Sequence, residues 1–293
     1  MKRLLITGAS GLLGTKLAEI SSKSYETIGT YNKNYVRSNC KMIKLDIKNK
    51  NQVFDVIGKM NPNFVIHTAA FTNVDQCETK KHTAWDINVK GTENIVKICE
   101  KIGAKLIYMS TDFVFDGKKE GKYKETDTPN PINWYGKTKL EGEKLIQKSR
   151  IDFIITRTSV LYGWNLQKRL NFVTWAIEKL KNNEKIKIVT NQWNSPTLAN
   201  NLAYSLINIL NKKEHGMFHM AGSERINRFD FAKKIAKIFN LNENLIEPIK
   251  SEKLKQIAKR PTDSSLNIEK AKKIGIKFLN IEKGLNEMKR LKY

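Results

Sequence analysis

Tyr135 and Lys139 stand four residues apart, a spacing that puts both side chains on one face of a helix, one turn apart. A phenol with an unperturbed pKa of about 10 is a poor acid or base at neutrality. A neighbouring ammonium favours the phenolate and draws that value toward the working range, so the pair can pass a proton to or from an oxygen. Thr111 comes earlier in the chain, where it follows the apolar run Leu106-Ile107-Tyr108-Met109 and Ser110. A hydroxyl at the carboxyl end of a parallel strand lies where open α/β sheets bind ligands, and it can donate to a substrate oxygen as charge develops there. In a chain with 53 Lys and Arg residues a Tyr-x-x-x-Lys spacing arises readily by chance, so its weight depends on what accompanies it.

The companion is the first stretch of the chain. Leu4-Leu5-Ile6 reads as a buried strand, Gly8, Gly11 and Gly14 follow, and an amphipathic helix begins near Leu12 and runs through Leu17, Ala18 and Ile20. Strand, glycine turn and helix in this order are what a dinucleotide-binding unit requires. Gly8 permits the tight turn, Gly11 lets backbone amides approach a pyrophosphate, and Gly14 lets the helix lie close on the strand. The helix N-terminus offers unpaired N–H groups and a positive dipole end to the phosphates. A nicotinamide cofactor is therefore expected, with Lys139 also placed to hydrogen-bond its ribose and hydride passing between cofactor and substrate carbon while Tyr135 handles the proton.

Further elements must position these groups. Strands are expected at 27–31, 42–47, 64–67, 104–109 and 153–157, with a helix at 51–59 ended by Pro62 and a long helix begun or interrupted at 86–92. This alternation predicts an α/β fold, a doubly wound parallel Rossmann sheet with helices on both faces. Beyond Gly163 the pattern loosens into helices at 172–182, 199–210, 228–239 and 281–288 and short strands at 186–189 and 217–220. We expect residues 1–160 to form the dinucleotide-binding domain and residues 161–293 mainly a second, smaller α/β lobe that binds substrate, interleaved with the first. The end of the second strand carries Tyr31, Lys33 and nearby Arg37 but no carboxylate to receive ribose hydroxyls, which favours NADP over NAD; solvated basic residues would read the same way. Asp46 can meet an adenine amino group or cap the following helix. His67, alone inside an apolar strand, reads as packed and structural.

The composition, 40% hydrophobic and 9% aromatic, is that of a globular protein, and no apolar run approaches bilayer length. The chain opens directly into its first strand, so no signal peptide is expected. Cys40, Cys77 and Cys99 are scattered without metal-ligand spacing, which points to a reducing cytosol and to no metal site. The net charge of +24 is spread along the whole chain, mostly as lysine, and no nucleic-acid-binding module accompanies it. It suits anionic small molecules, nucleotides among them; neither nucleic acid nor a membrane is expected as partner.

These motifs carry a resemblance that spans nearly the whole chain. Thr7-Gly8-x-x-Gly11-x-x-Gly14, Asn88-Val89-Lys90-Gly91-Thr92 and Tyr135-x-x-x-Lys139 resemble the extended short-chain dehydrogenase/reductases. More narrowly, the chain is similar to the dTDP-4-dehydrorhamnose reductase branch. Its matches include Ala69-Ala70-Phe71-Thr72-Asn73-Val74-Asp75-Gln76-Cys77-Glu78, Ser110-Thr111-Asp112-Phe113-Val114-Phe115-Asp116-Gly117, Asn191-Gln192 with Pro196-Thr197, and Arg260-Pro261 with Ser265-Leu266-Asn267. The Ser-Thr-Asp block is the most specific. The resemblance implies NADPH-dependent reduction of the C4 ketone of dTDP-4-dehydro-L-rhamnose, with Thr111, Tyr135 and Lys139 catalytic. It places Ser10, Leu12, Leu13, Tyr31, Lys33, Asp46, Ile47, Ala69, Ala70 and Thr72 with the glycines along the cofactor. Asp112, Trp193 and Arg260 join Thr111 and Tyr135 at the substrate.

The chain departs from that pattern at Val160, where the branch often has a tryptophan against the sugar; Trp164 or Trp193 could take its place, or the sugar could differ. The same branch includes the regulatory beta subunit of methionine adenosyltransferase, which Leu161-Tyr162-Gly163 and Gly216-Met217-Phe218-His219 resemble as much as they do the reductase. An NADP-binding regulatory module is thus the alternative to an enzyme. A sugar-nucleotide epimerase or dehydratase is a third reading, ranked lower because dehydratases need further carboxylates beside the threonine and Asp112 supplies one. The resemblance leaves a homodimer open.

Overall fold

Apolar runs pair into one parallel sheet that fixes where the site lies. The computed structural model describes residues 1–167 and 169–291; Lys168, Lys292 and Tyr293 of the expected second lobe lie outside the described residues. The first part of the chain supplies β1 (Arg3–Thr7), α1 (Leu12–Ser21), β2 (Glu26–Tyr31), β3 (Lys41–Lys44), α2 (Lys50–Met60), β4 (Phe64–His67), the short α3 (Val74–Thr79) and α4 (Lys81–Trp85), α5 (Gly91–Ile102), β5 (Lys105–Thr111), α6 (Trp134–Gln147) and β6 (Phe153–Thr158). The remainder supplies β7 (Leu161–Tyr162), α7 (Phe172–Lys181), β8 (Ile186–Val189), β9 (Trp193–Asn194), β10 (Thr197–Leu198), α8 (Ala199–Leu210), β11 (Gly216–His219), β12 (Ile226–Asn227), α9 (Arg228–Phe239), β13 (Ile246–Ile249), α10 (Glu269–Lys273) and α11 (Ile281–Arg290).

The sheet runs β11-β6-β5-β4-β1-β2-β3, with every neighbouring pair parallel. Side chains alternate between its faces. Leu4, Ile6, Ile66 and Ile107 pack with α1 and α8, whereas Leu5, Val65, Leu106 and Ile155 pack with α2, α5 and α6. Burial on both faces is why these strands read as continuous apolar runs. The strand order reverses direction between β1 and β4, and ligands bind outside the carboxyl ends of the strands at such a switch point. The glycine turn after β1, the loop after β4 and the end of β5 all open there.

Two local departures from the sequence pattern shape the cleft. The strand expected at 42–47 stops at Lys44, because the Asp46 amide turns to the Gln52 side chain at 2.9 Å and leaves the sheet edge. The interruption expected at 86–92 is a π-turn, Asp86–Lys90, between α4 and α5. Its extra residue buries Asn88, whose side chain accepts from the Phe71 amide at 2.7 Å and donates to the Phe71 carbonyl at 3.1 Å and to Thr138 Oγ1 at 3.0 Å. One asparagine thereby ties the loop after β4 to α6.

The chain beyond β6 gathers a separate core, in which Tyr162, Val173, Ile177, Ile186, Phe231, Ile235 and Leu285 pack between α7, α9 and α11. Its strands form three two-stranded pairs, β7 with β10, β8 with β13 and β9 with β12. Yet α8 and β11 return to the first core and sheet, so the two parts are interleaved along the sequence. Among the described residues no helix is long and apolar enough to cross a membrane.

Candidate active site

A cleft of about 750 Å³ runs along the carboxyl ends of the strands, from the glycine turn to the N-terminus of α6. At one end the turn lies against the loop after β4. Gly8 has φ +68°, and a Cβ there would come within 2.8 Å of the Ala69 backbone; at Gly14 a Cβ would come within 2.3 Å of the Gly8 carbonyl oxygen. Neither site has room for a side chain. Gly11 caps α1 in extended conformation with no side-chain hydrogen bond, so the first-turn N–H groups near Leu12 and Leu13 are available to an anion. Ser10, Tyr31, Lys33, Asp46, Ile47, Ala69, Ala70 and Thr72 all line this same cleft. Asp46 does not cap α2; Asn49 does, accepting from the Gln52 amide at 3.0 Å. Arg37 lies away from the cleft, beside a smaller cavity of about 240 Å³ against α1. A dinucleotide phosphate fits the cradle that these residues form.

At the other end Thr111, Asp112, Tyr135 and Lys139 converge. Thr111 closes β5, donates to Asp112 Oδ1 at 3.1 Å and accepts from the Phe113 amide at 3.2 Å. Tyr135 stands in the first turn of α6, near enough to the Thr111 hydroxyl to feel it, and its ring meets Phe113 edge-on with centroids 6.2 Å apart. Asp112 is buried; Ser159 donates to its Oδ2 at 2.8 Å and Ser264 at 2.5 Å. Burial still holds its carboxyl above the usual carboxylate range, against the pull of those hydroxyls and of the Arg228 charge.

The expected action of Lys139 on Tyr135 is not what the geometry shows. Burial pushes the phenol up, and the Asp112 charge adds to the rise while the Thr111 hydroxyl opposes it. Lys139 is itself buried, its Nζ 4.0 Å from the centre of the Tyr108 ring, and burial lowers its ammonium to about 7 although Glu143 one turn on pulls the other way. Desolvation, which disfavours both charged forms, outweighs the pairing that the spacing implies. Behind Lys139, Glu143 accepts from Arg157 Nε at 2.9 Å and Nη2 at 2.6 Å and from Ser110 Oγ at 2.5 Å. His67 bridges Thr7 Oγ1 at 2.6 Å and Thr92 Oγ1 at 3.2 Å; burial, then the Lys139 charge, lowers it to about 3, so it is neutral packing.

Two residues expected at the substrate are not on the cleft wall. Arg260 is held by Asp75, with Nη1 at 2.5 Å from Oδ1 and Nη2 at 2.8 Å from Oδ2, and also donates to the Ala258 carbonyl. Trp193 lies under Arg225, whose guanidinium carbon is 3.9 Å from the ring centre. Trp164 donates to the Met288 carbonyl at 2.7 Å and packs on Phe239, so it does not take the place of the absent tryptophan either. The Asp75–Glu78 block is instead structural: Asp75 anchors Arg260, and Glu78 accepts the Trp134 amide at 2.6 Å at the start of α6.

The cleft also holds Val160, the position that the resemblance sets against the sugar, and two arginines that sequence reasoning missed, Arg169 and Arg228. Val160 lines it with φ +41°, a rare conformation for a β-branched residue and a mark of local strain. Arg169, in the loop between β7 and α7, reaches Thr72 Oγ1 at 3.4 Å across the opening. Arg228 enters from the first turn of α9. The amphipathic pattern of α9 is legible, but nothing in it says that its first residue faces the cleft. Among the described residues no group of three His, Cys, Asp or Glu side chains is placed to hold a metal, and the three cysteines are free thiols.

Comparison with known proteins agrees with this geometry. Residues 1–291 match the RmlD substrate binding domain family. The chain is 35% identical to the dTDP-4-dehydrorhamnose reductase of Aggregatibacter actinomycetemcomitans, over 92% of each protein. It is also 32% identical to methionine adenosyltransferase 2 subunit beta of Bos taurus, over 94% of this chain and 83% of that one. Among solved structures it is similar to dTDP-4-dehydrorhamnose reductase from Bacillus anthracis in complex with NADP, with a TM-score of 0.90, 33% identity and full coverage of both chains.

Proposed function

This chain belongs to the RmlD substrate binding domain family, and from that we propose that it is an NADPH-dependent reductase of a nucleotide-activated 4-keto-6-deoxy sugar. The specific reading is reduction of dTDP-4-dehydro-L-rhamnose to dTDP-L-rhamnose. The observation that carries it is the placement of Thr111, Asp112, Tyr135 and Lys139 in one cleft with the glycine turn and the uncapped start of α1. In this reading residues 1–160 hold the cofactor, and the remainder, apart from α8 and β11, holds the sugar nucleotide.

Gly8, Gly11 and the first-turn amides of α1 receive the pyrophosphate of NADP, with Ser10 beside them. Lys33 and Tyr31 meet the adenosine ribose and its 2′-phosphate, Asp46 and Ile47 the adenine, and Ala69, Ala70 and Thr72 the chain toward the nicotinamide. When bound, NADPH supplies the hydride that reduces the carbonyl carbon. Tyr135 donates its phenolic proton to the carbonyl oxygen as negative charge gathers there, so the C=O π bond gives way to new C–H and O–H bonds while the C–O single bond remains. Thr111 orients that oxygen by hydrogen bonding, and Lys139 stabilises the phenolate left behind. Burial keeps Tyr135 protonated until then, which is the state reduction must start from.

Removing the phenolic proton tests this. Tyr135→Phe is expected to lower kcat by about 10²–10⁴-fold, the usual contribution of a positioned acid, while NADPH binding and thermal stability persist. Wild-type turnover by that variant would refute the assignment of the acid. The 32% identity to the beta subunit of a methionine adenosyltransferase supports a second reading, an NADP-binding regulatory module. It predicts NADPH binding without turnover and co-purification with a methionine adenosyltransferase.

A further inference from the structure

Two arginines line the cleft: Arg169, which is exposed and reaches Thr72, and Arg228, which is held differently from the arginines packed behind the cleft. Arg157 is bound to Glu143, Arg260 to Asp75 and Arg225 to Asp263. Arg228 lines the cleft within reach of the Asp112 charge, and its guanidinium makes no hydrogen bond or ion pair with any described residue. Its guanidinium carbon lies 4.9 Å from the centre of the Phe172 ring, and Phe172 in turn stacks on Phe231 with centroids 5.6 Å apart. The two aromatic rings thus back Arg228 where it meets the cleft.

Asp112 is the acid whose charge Arg228 feels, but it is not a partner. Its Oδ1 receives Thr111, and its Oδ2 receives Ser159 and Ser264. Arg260 nearby adds positive field rather than relief. A half-buried guanidinium with unused donors is costly unless something anionic meets it. Arginine is also the side chain whose planar fork matches phosphate oxygens.

We propose that Arg228 is the residue that reads the diphosphate of the substrate, donating to a phosphate oxygen beside Asp112 while Phe172 packs against the guanidinium. The inference rests on the nucleotide-sugar reading given above. The cofactor's own pyrophosphate is matched to the start of α1, whereas Arg228 lies close enough to Asp112, next to Thr111 in the chain, to feel its charge. Arg228 therefore acts on the second ligand and sets its class: a sugar joined to a diphosphate, in preference to a free sugar. It remains cationic at neutral pH, since burial lowers it only to about 10.

The test uses the full-length protein with dTDP, thymidine and NADPH as probes, binding measured by calorimetry. Wild type is expected to prefer dTDP over thymidine. Arg228→Gln should weaken dTDP by roughly 10- to 100-fold, the scale of a charge-assisted hydrogen bond, with thymidine unchanged. NADPH affinity should stay at the wild-type value, which also shows that the variant is folded. Arg228→Lys, with a point charge in place of the fork, should fall between the two. In turnover the loss should appear in KM for the sugar nucleotide and little in kcat. Unchanged dTDP binding in Arg228→Gln, or a loss confined to NADPH, overturns the inference. So does a wild type that does not distinguish dTDP from thymidine. If dTDP binding behaves as stated and no sugar nucleotide is reduced, the reductase reading fails while the role of Arg228 stands.

Discussion

Gly136 follows the proposed acid directly, and its backbone sets how close α6 comes to the end of β5. A Cβ at this position would lie 2.1 Å from the Phe113 carbonyl oxygen, 2.9 Å from the Phe113 carbonyl carbon and 3.0 Å from Pro131 Cβ. Ordinary van der Waals contact begins near 3.4 Å, so Gly136→Ala forces α6 and the turn after Thr111 apart by roughly 1 Å. No flexible side-chain end is available to absorb the shift, because the nearest atoms are backbone. The same turn carries the buried cap Asn133, whose Oδ1 accepts from the Gly136 amide at 2.8 Å and whose Nδ2 donates to the Lys259 carbonyl at 3.0 Å. Alanine gains about 1 kcal/mol over glycine from helix propensity, against roughly 1–3 kcal/mol or more for overpacking. The net effect on stability is small, a fall in Tm of a few degrees. The effect on chemistry is larger, since Thr111 and Tyr135 sit on opposite sides of this contact. A misplacement of about 1 Å in a catalytic group costs on the order of 10²-fold. Steady-state oxidation of NADPH by the sugar nucleotide should therefore show kcat reduced about 100-fold, with NADPH affinity retained because the glycine turn is remote. A variant with wild-type kcat would refute the claim that this approach aligns the pair.

Two further predictions follow from the same structure. Gly14→Ala puts a Cβ within 2.3 Å of the Gly8 carbonyl oxygen and 2.6 Å of Ala9 Cα; it should weaken NADPH at least roughly 10-fold by lifting α1 from the turn, an effect of about 1.4 kcal/mol read by fluorescence titration, and unchanged affinity would remove the turn from the cofactor site. Lys139 titrates near 7 in the folded protein and near 10.4 unfolded, so between these values the unfolded chain binds more protons and stability rises with pH, by up to about 1.4 kcal/mol per unit, levelling off below 7; denaturant titrations should show this slope in wild type relative to Lys139→Met, and parallel curves would contradict the buried amine.

The parts that the sequence made legible are those with local causes. The parallel strands are continuous apolar runs because both faces are covered, and the glycine turn is legible because three positions have no room for, or no need of, a side chain. Tyr135 and Lys139 share a helix face by spacing alone. What escaped detection depends on contacts between distant segments. β7, β9, β10 and β12 are two residues long, too short for any period to appear, and each is defined by its partner rather than by itself. Arg260 looks like a substrate ligand until its pairing with Asp75, 185 positions away, is seen. Arg228 looks like any basic residue opening an amphipathic helix. In a lysine-rich chain, charge by itself cannot separate a ligand-binding cation from a solvated one; burial in a cleft without a protein partner does.

The same distinction governs the reacting pair. Spacing alone suggests a lysine that drags a tyrosine toward ionisation, an arrangement suited to taking a proton. Burial reverses that balance, because a site closed by Asp112, Tyr108 and the loop after β4 disfavours charge on either group. Tyr135 is then held as a neutral phenol, chiefly by its burial. A neutral phenol in a poorly solvated pocket gives up its proton only when a neighbouring oxygen becomes strongly basic, as a carbonyl oxygen does while its carbon is being reduced. Lys139, near 7, can gain a proton as the phenolate forms, since the new negative charge raises its affinity for one. A proton donor to a nascent alkoxide has to start as a neutral phenol, and that is the state which burial favours here.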